Sequence, residues 1–119
     1  MKIAVTSKGM DLDSQVDPRF GRAEYILIVD SETFDFEVLD NKENVNAMSG
    51  AGIQTAVTVS EKGANILLTG FCGPNAFRAL KAANIEVAND ASGTVIEAVK
   101  AYLDGELPTA EEANVEGHW

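Results

Sequence analysis

Cysteine is nearly absent from this chain of 119 residues, because Cys72 is the only one. One thiol cannot form an internal disulfide, which fits a reducing compartment, and it excludes a zinc site built from several thiolates of one chain. Histidine is just as scarce, since His118 stands alone next to Trp119. A Ser-His-Asp triad would depend on this one residue, so we do not expect a serine hydrolase. His118 is also a weak candidate for a metal ligand, because a lone terminal histidine is usually solvated.

Long hydrophobic runs are missing as well. The longest apolar stretches, such as 26–29 and 66–68, have the length of a strand and are too short to cross a bilayer. The first residues, MKIAVTS, run directly into a strand-like pattern and lack the apolar region and cleavage site of a signal peptide. We therefore expect a cytoplasmic protein without a membrane segment.

Basic residues are in deficit: nine Lys and Arg face 19 Asp and Glu, which gives a formal net charge of -10. Such a surface repels nucleic acid phosphates and anionic lipids, so neither is an expected partner, although one local basic pocket remains compatible with it. The length and the hydrophobic fraction of 45% fit a single compact domain. We expect that domain to span residues 1–107, followed by an acidic, flexible tail at 108–119.

Apolar periodicity predicts an α/β fold with the element order βββαβαβα. The predicted strands span 2–6, 24–30, 34–40, 65–70 and 85–88, and the predicted helices run from GAGIQ (50–54) to Gly63, over 75–83 and over 93–103. The turn-like DSET between the second and third strands predicts an antiparallel hairpin, whereas strands separated by one helix should be parallel. We predict a five-stranded mixed sheet in which strand two opposes the other four. Ile53, Ala56, Val57 and Ser60 are predicted to share one face of the first helix.

This topology gathers several connecting segments at one edge of the sheet. The segments are 7–23, 41–49, 70–74 and 89–92, and the N-termini of all three helices point to the same edge. Backbone N–H groups and the positive ends of helix dipoles favour anions. The sequence therefore predicts an anion site at this edge, even in an acidic protein.

The long loop 7–23 contains DPRFGR, residues 17–22. Arg19 and Arg22 supply fork-shaped donors, and Gly21 would permit a positive φ. Two interpretations stay open. The arginines clamp an anion, or Phe20 plugs the end of the core while the arginines pair with surface acids.

Two further motifs precede predicted helices. GAGIQ offers Gly50 and Gly52 for close approach of a backbone, but it lacks the spacing of GxGxxG and the lysine of a Walker motif, so we predict no nucleotide site. TGFCGPNAF, residues 69–77, places Cys72 between Gly70 and Gly73, and these two glycines allow unusual backbone angles. A helix dipole would lower the pKa of this thiol and make it a ligand or a nucleophile. The alternative is a small buried hydrophobe.

The spacing C-x5-R from Cys72 to Arg78 also matches the loop of cysteine-dependent phosphatases. Pro74 removes one of the N–H groups that such a loop needs, and Ala79 stands where a hydroxyl residue usually assists. Helical phasing moreover places Arg78 beside Lys81 on the polar face. The phosphatase remains an alternative hypothesis.

Three stretches in the same order resemble the dinitrogenase iron-molybdenum cofactor biosynthesis family over roughly residues 1–107: DPRFGRAEYILIVD, GAGIQTAVTVSEKGANILLTGFCGPNAFRALKAANIEV and SGTVIEAVKAYLDGEL. The resemblance implies a ribonuclease H-like sheet. It also implies a carrier, and not an enzyme, for an iron-sulfur or molybdenum-iron-sulfur type cluster, with cluster donor and acceptor proteins as partners. The chain lacks the CxxxCxxC motif of the radical enzyme that shares a related domain, and it lacks a histidine-rich tail.

The resemblance places the cluster at the edge described above. The residues implied are Arg19, Arg22, Gly50, Gly52, Gly73 and Asn75 for binding the cluster, and Cys72 as a metal ligand. Metal-sulfur clusters are commonly anionic, so N–H groups, arginines and one thiolate suit them. A third hypothesis is a protein-interaction module that uses the acidic tail.

Overall fold

The computed structural model describes residues 1–42 and 51–110. Its strands are β1 (Lys2–Ser7), β2 (Tyr25–Asp30), β3 (Phe36–Asp40), β4 (Ile66–Leu68) and β5 (Glu86–Ala88). The α-helices within these ranges are α1 (Ala51–Glu61), α2 (Pro74–Ala82) and α3 (Val95–Leu103), and Phe20–Arg22 forms one turn of 3-10 helix. The element order predicted from periodicity is confirmed.

The five strands form one mixed sheet in the order β3-β2-β1-β4-β5. β2 runs antiparallel to both of its neighbours, β1 and β3, while β1, β4 and β5 pair in parallel. β2 therefore opposes the other four strands, as predicted. The carboxyl ends of these four strands meet at one edge of the sheet, which positions the loops discussed below.

Helices cover both faces of the sheet. The β1 strand shows the alternation, because successive side chains point to opposite faces. Ala4 packs in a cluster with Leu80 of α2, whereas Ile3 and Val5 pack in a second cluster with Val99 of α3. Both faces of β1 are buried, so the strand reads as a continuous apolar run in the sequence.

The buried face of α1 differs from the prediction. Ile53 and Val57 are 41% and 47% exposed, and the buried side of the helix is formed by Gly52, Thr55, Ala56 and Val59. A Cβ added to Gly52 would lie 2.9 Å from the Cβ of Ala76 in α2. The two helices approach so closely that small residues must face α2, and this contact turns the larger aliphatic side chains outward.

The ends of the helices follow the capping rules, whereas Gly21 and Gly73 adopt ordinary backbone angles. Gly63 and Gly105, with φ of 76° and 79°, end α1 and α3 as expected. Thr94 and Glu97 form a capping box at the start of α3, and the hydrogen bonds to the Glu97 carboxylate lower its pKa. Gly21 lies in the 3-10 turn and does not adopt the positive φ that a glycine permits. Gly73 has ordinary extended angles, φ -70° and ψ 164°.

The start of the predicted tail contacts the folded domain. The backbone N–H of Ala110 donates to the carbonyl of Val87 at 2.7 Å, and Ala110 packs against the cluster beneath α1 and α2. Residues 111–119, including His118, lie outside the described residues, so the tail at 108–119 stays a prediction. Within the ranges described, no helix is both long enough and apolar enough to cross a membrane.

Candidate anion-binding edge

The loop that carries the arginines is fixed to the carboxyl end of β1 by a buried polar network. The backbone N–H of Asp17 donates to the carbonyl of Thr6 at 2.9 Å. The Thr6 hydroxyl lies 2.6 Å from the Asp17 carbonyl oxygen and 3.0 Å from the Thr69 hydroxyl. A hydroxyl carries one proton, so Thr6 donates to the carbonyl and accepts from Thr69. The network ties the loop to β1 and to the residue that follows β4.

Asp17 orients the first arginine. Its Oδ1 accepts a hydrogen bond from the backbone N–H of Arg19 at 3.0 Å and lies 3.7 Å from the Arg19 Nε. The Asp17 side chain is 6% exposed and that of Arg19 is 50% exposed. The buried carboxylate of Asp17 therefore holds an arginine side chain that is half-exposed to solvent.

A cavity of about 300 Å³ lies at this point of the edge, lined by Lys8, Asp17, Arg19, Arg22 and Glu24. Three cationic side chains face two carboxylates, and one of the carboxylates is the buried Asp17. Sequence reasoning found Arg19 and Arg22 but missed Lys8. The available signal was its position, since Lys8 follows the last residue of β1 and so enters the loop at the same edge.

The segment after β4 is joined directly to the loop 7–23 that carries Arg19 and Arg22, the arginine loop. Arg19 and Phe71 pair in an isolated parallel bridge, in which Phe20 N–H donates to the Phe71 carbonyl at 3.2 Å and Phe71 N–H donates to the Pro18 carbonyl. A Cβ at Gly70 would lie 2.7 Å from the Cα and the carbonyl oxygen of Pro18. Gly70 is therefore required by a close backbone approach, and its φ does not lie in the left-handed region that a glycine allows.

Two helix N-termini lie side by side at the same edge. The contact of Gly52 with Ala76 joins the first turn of α1 to that of α2. The α2 helix begins at Pro74 after Gly73, so no side chain caps its first turn. Asn75 is exposed, and its Oδ1 accepts a hydrogen bond from Nη2 of Arg78. Gly52 and Asn75 lie in the first turns of α1 and α2, and Gly73 immediately precedes α2, while Gly50 lies outside the described residues.

Cys72 is fully buried in the cluster beneath α1 and α2. Its sulfur lies 3.7 Å from the Gly73 carbonyl oxygen. Burial raises the pKa of this thiol to about 12, so the predicted lowering of its pKa is wrong. Loss of solvent outweighs the helix dipole here, because an ionised sulfur in the core would have no water around it.

The same facts weaken the phosphatase hypothesis. A thiol with a pKa of about 12 is protonated at neutral pH, and the thiolate is the nucleophile that such enzymes need. Arg78 meanwhile contacts Asn75 on the exposed side of α2. Cys72 and Arg78 therefore do not present the thiolate and guanidinium that would bracket a phosphate.

The residues described contain no group of three or more His, Cys, Asp or Glu side chains that could hold a metal ion. The donors at the edge are instead cationic side chains and helix N-termini. Such donors suit an anion that arrives with its own internal ligands, and they do not suit a bare metal ion.

The fold is a small α/β domain with a mixed five-stranded sheet, and its carboxyl edge carries a cavity lined by three cationic and two acidic side chains. The chain belongs to the dinitrogenase iron-molybdenum cofactor family, whose sequence profile matches residues 1–105. The family resemblance drawn from the motifs is therefore confirmed.

Several known proteins resemble this chain over nearly its whole length. The apo form of the orange protein from Desulfovibrio gigas is 46% identical, with 96% of each chain covered and a TM-score of 0.94. An NMR structure of a Thermotoga protein assigned to the DUF35 family is 37% identical, with 98% of each chain covered and a TM-score of 0.84. An uncharacterised protein from Methanocaldococcus jannaschii is 27% identical over 115 residues, which are 93% of this chain and 97% of that protein.

Proposed function

We propose that this protein is a non-catalytic carrier of an anionic metal-sulfur cluster, of the iron-sulfur or molybdenum-iron-sulfur type. It receives the cluster from a donor protein and passes it to an acceptor during cofactor assembly. The observation that supports this most strongly is the cavity lined by Lys8, Arg19 and Arg22, in a chain whose family is named after a metal-containing cofactor.

The donors at the edge fit an anionic cluster better than a resident metal ion. Arginine and lysine donate hydrogen bonds to anionic sulfur and balance its charge, and helix N-termini add partial positive charge. None of these groups forms a bond to the metal itself. A cluster held in this way can leave without breaking a metal-protein bond, which is the property that a carrier requires.

The predicted site residues take different roles in this proposal. Arg19 and Arg22 act as electrostatic clamps, and Gly52, Gly73 and Asn75 belong to the adjacent helix N-termini. The proposal gives Cys72 a packing role, since its sulfur is buried and protonated at neutral pH. A thiolate bond from Cys72 to the metal is the competing assignment, and the variant Cys72→Ala separates the two. A cytoplasmic location belongs to the same proposal, because cluster sulfide persists in a reducing compartment.

The test is anaerobic reconstitution with iron and sulfide, with and without molybdate, followed by desalting, absorption spectroscopy and metal counting. We expect the wild-type protein to retain a coloured cluster. The double variant R19Q/R22Q should lose most of it, because two of the three cations lining the cavity become neutral.

The matched control is K81Q/K100Q, which removes the same charge from exposed positions on α2 and α3 that do not line the cavity. Equal retention by the two double variants would show that the cavity is not the binding site. A wild-type protein that retains no metal after desalting, whichever metal is supplied, would end the carrier proposal.

A further inference from the structure

We propose that Phe71 is a specificity-determining residue of this edge. Its ring forms an apolar wall beside Arg19 that favours sulfide-bearing metal anions over oxyanions of the same charge and shape. This inference rests on the proposed carrier function, and it adds the means by which the site would reject the hydrated oxyanions that any cationic cavity attracts.

Phe71 is 38% exposed although it follows a fully buried strand and precedes the buried Cys72. A single exposed aromatic residue is ordinary on a protein surface, so its exposure alone means little. Its position carries the argument. The residue lies in the bridge that joins the arginine loop to the segment after β4.

The backbone around Phe71 is held on several sides. Its N–H donates to the Pro18 carbonyl, its own carbonyl accepts from Phe20 N–H, and Gly70 packs directly against Pro18. The next residue, Cys72, is anchored in the core. The ring therefore starts from a fixed backbone, so a ligand that contacts it bears little of the entropy cost of ordering a loop.

Phe71 and Arg19 share one rim of the edge. Residues that oppose each other in a bridge carry their side chains on the same face, and these two residues are the bridge partners. The Arg19 side chain is half-exposed and lines the cationic cavity. Phe71 is not among the described residues that line this cavity, so its ring would meet the part of a ligand that extends past Arg19.

The two side chains select for different properties of a ligand. A guanidinium binds oxyanions and sulfide anions alike, because its fork of N–H donors responds to charge. An aromatic ring has a positive edge and makes favourable contacts with polarisable sulfur. A strongly hydrated oxygen loses water against the ring without gaining a hydrogen bond, which is unfavourable. The pair therefore favours an anion that is both negatively charged and covered with sulfur.

The test compares tetrathiotungstate with tungstate, two tetrahedral dianions that differ in sulfur against oxygen. Equilibrium dialysis with metal counting gives both dissociation constants for the wild-type protein and for Phe71→Ala, Phe71→Leu and Phe36→Ala. Phe36 is the matched control, since it is 40% exposed at the opposite end of the sheet, at the start of β3.

We expect the wild-type protein to bind the thio anion more tightly than the oxo anion. Phe71→Ala should weaken the thio anion by about tenfold, the upper range of a sulfur-aromatic contact, and change the oxo anion by less than about twofold. Phe71→Leu keeps an apolar wall and should recover part of the loss. Phe36→Ala should match the wild type for both anions, and thermal melts check that each variant is folded.

The other outcomes overturn the inference in distinguishable ways. A wild-type protein that binds neither anion contradicts the carrier function and this inference with it. Thio-anion binding that is equal in Phe71→Ala and Phe36→Ala leaves the carrier function intact and removes the role of Phe71. Equal weakening of both anions in a folded Phe71→Ala would show that the ring shapes the edge without selecting the ligand.

Discussion

The Thr6 hydroxyl oxygen should determine how firmly the arginine loop is attached to β1. Thr6→Val keeps the shape and the β-branch of the side chain but removes this oxygen. Two buried hydrogen bonds disappear, at 2.6 Å to the Asp17 carbonyl and at 3.0 Å from the Thr69 hydroxyl. Asp17 and Thr69 are both buried, so the Asp17 carbonyl and the Thr69 hydroxyl each lose the Thr6 hydroxyl as a partner in a place that water does not reach.

The expected loss follows from these two bonds. A buried hydrogen bond contributes about 1 kcal/mol net, and a buried group left unpaired costs about 1–3 kcal/mol. We therefore expect the free energy of unfolding of Thr6→Val to fall by about 2–3 kcal/mol, which for a chain of this length lowers Tm by about 10 °C. Thr69→Val breaks only one of the two bonds and should cost about 1 kcal/mol.

Urea denaturation followed by circular dichroism measures these changes, provided that the m-values agree among the variants. Thr58→Val is the matched control, because this partly exposed threonine of α1 donates to the carbonyl of Gln54 in its own helix, at 3.1 Å, and takes no part in the network of Thr6. It should stay within about 0.5 kcal/mol of the wild type, as surface substitutions usually do. If Thr6→Val is no less stable than Thr58→Val, the network does not anchor the loop and our account of how Arg19 is positioned is wrong.

Three further predictions concern the core and the edge. Burial raises the pKa of the Cys72 thiol from 9.0 to about 12, so the unfolded chain loses this proton first. The free energy of unfolding should then fall between about pH 9 and about pH 12. Urea midpoints at about pH 8 and about pH 10 measure this fall, which should be absent in Cys72→Ala. Gly52→Val should lower the free energy of unfolding by about 1–3 kcal/mol, because even a Cβ would lie 2.9 Å from Ala76; an unchanged urea midpoint would contradict this contact. Lys8→Gln should reduce the metal retained after reconstitution while leaving Tm within about 2 °C of the wild type, since Lys8 is exposed; full retention would remove Lys8 from the site.

Much of the fold could be predicted because its signals are local. The apolar run of β1 and the turn between β2 and β3 each follow from a short stretch of sequence. The face of α1 could not be predicted in this way. Its rotation is set by the contact of Gly52 with Ala76, which are far apart in the chain, and glycine carries no signal in a hydrophobic pattern.

The candidate site was predictable only in outline. Topology indicated the edge, and the two arginines of DPRFGR lie there. The pKa of Cys72 was mispredicted because a helix dipole is visible in the sequence, whereas burial of the thiol depends on how Phe20 and Phe77 fill the same cluster. Lys8 was missed because a single lysine after a strand is common, and only the folded loop brings it to the cavity with Arg19.

The central claim is that this edge holds an anionic metal-sulfur cluster by charge and hydrogen bonds, without a bond from the protein thiol. Counting the iron, molybdenum and sulfide bound per chain after anaerobic reconstitution and desalting tests it most directly, in the wild type and in Cys72→Ala. We predict equal retention by both proteins and release at high salt, because screening weakens exposed charges. Retention by the wild type that disappears in a folded Cys72→Ala would contradict the claim, as would the absence of bound metal in both.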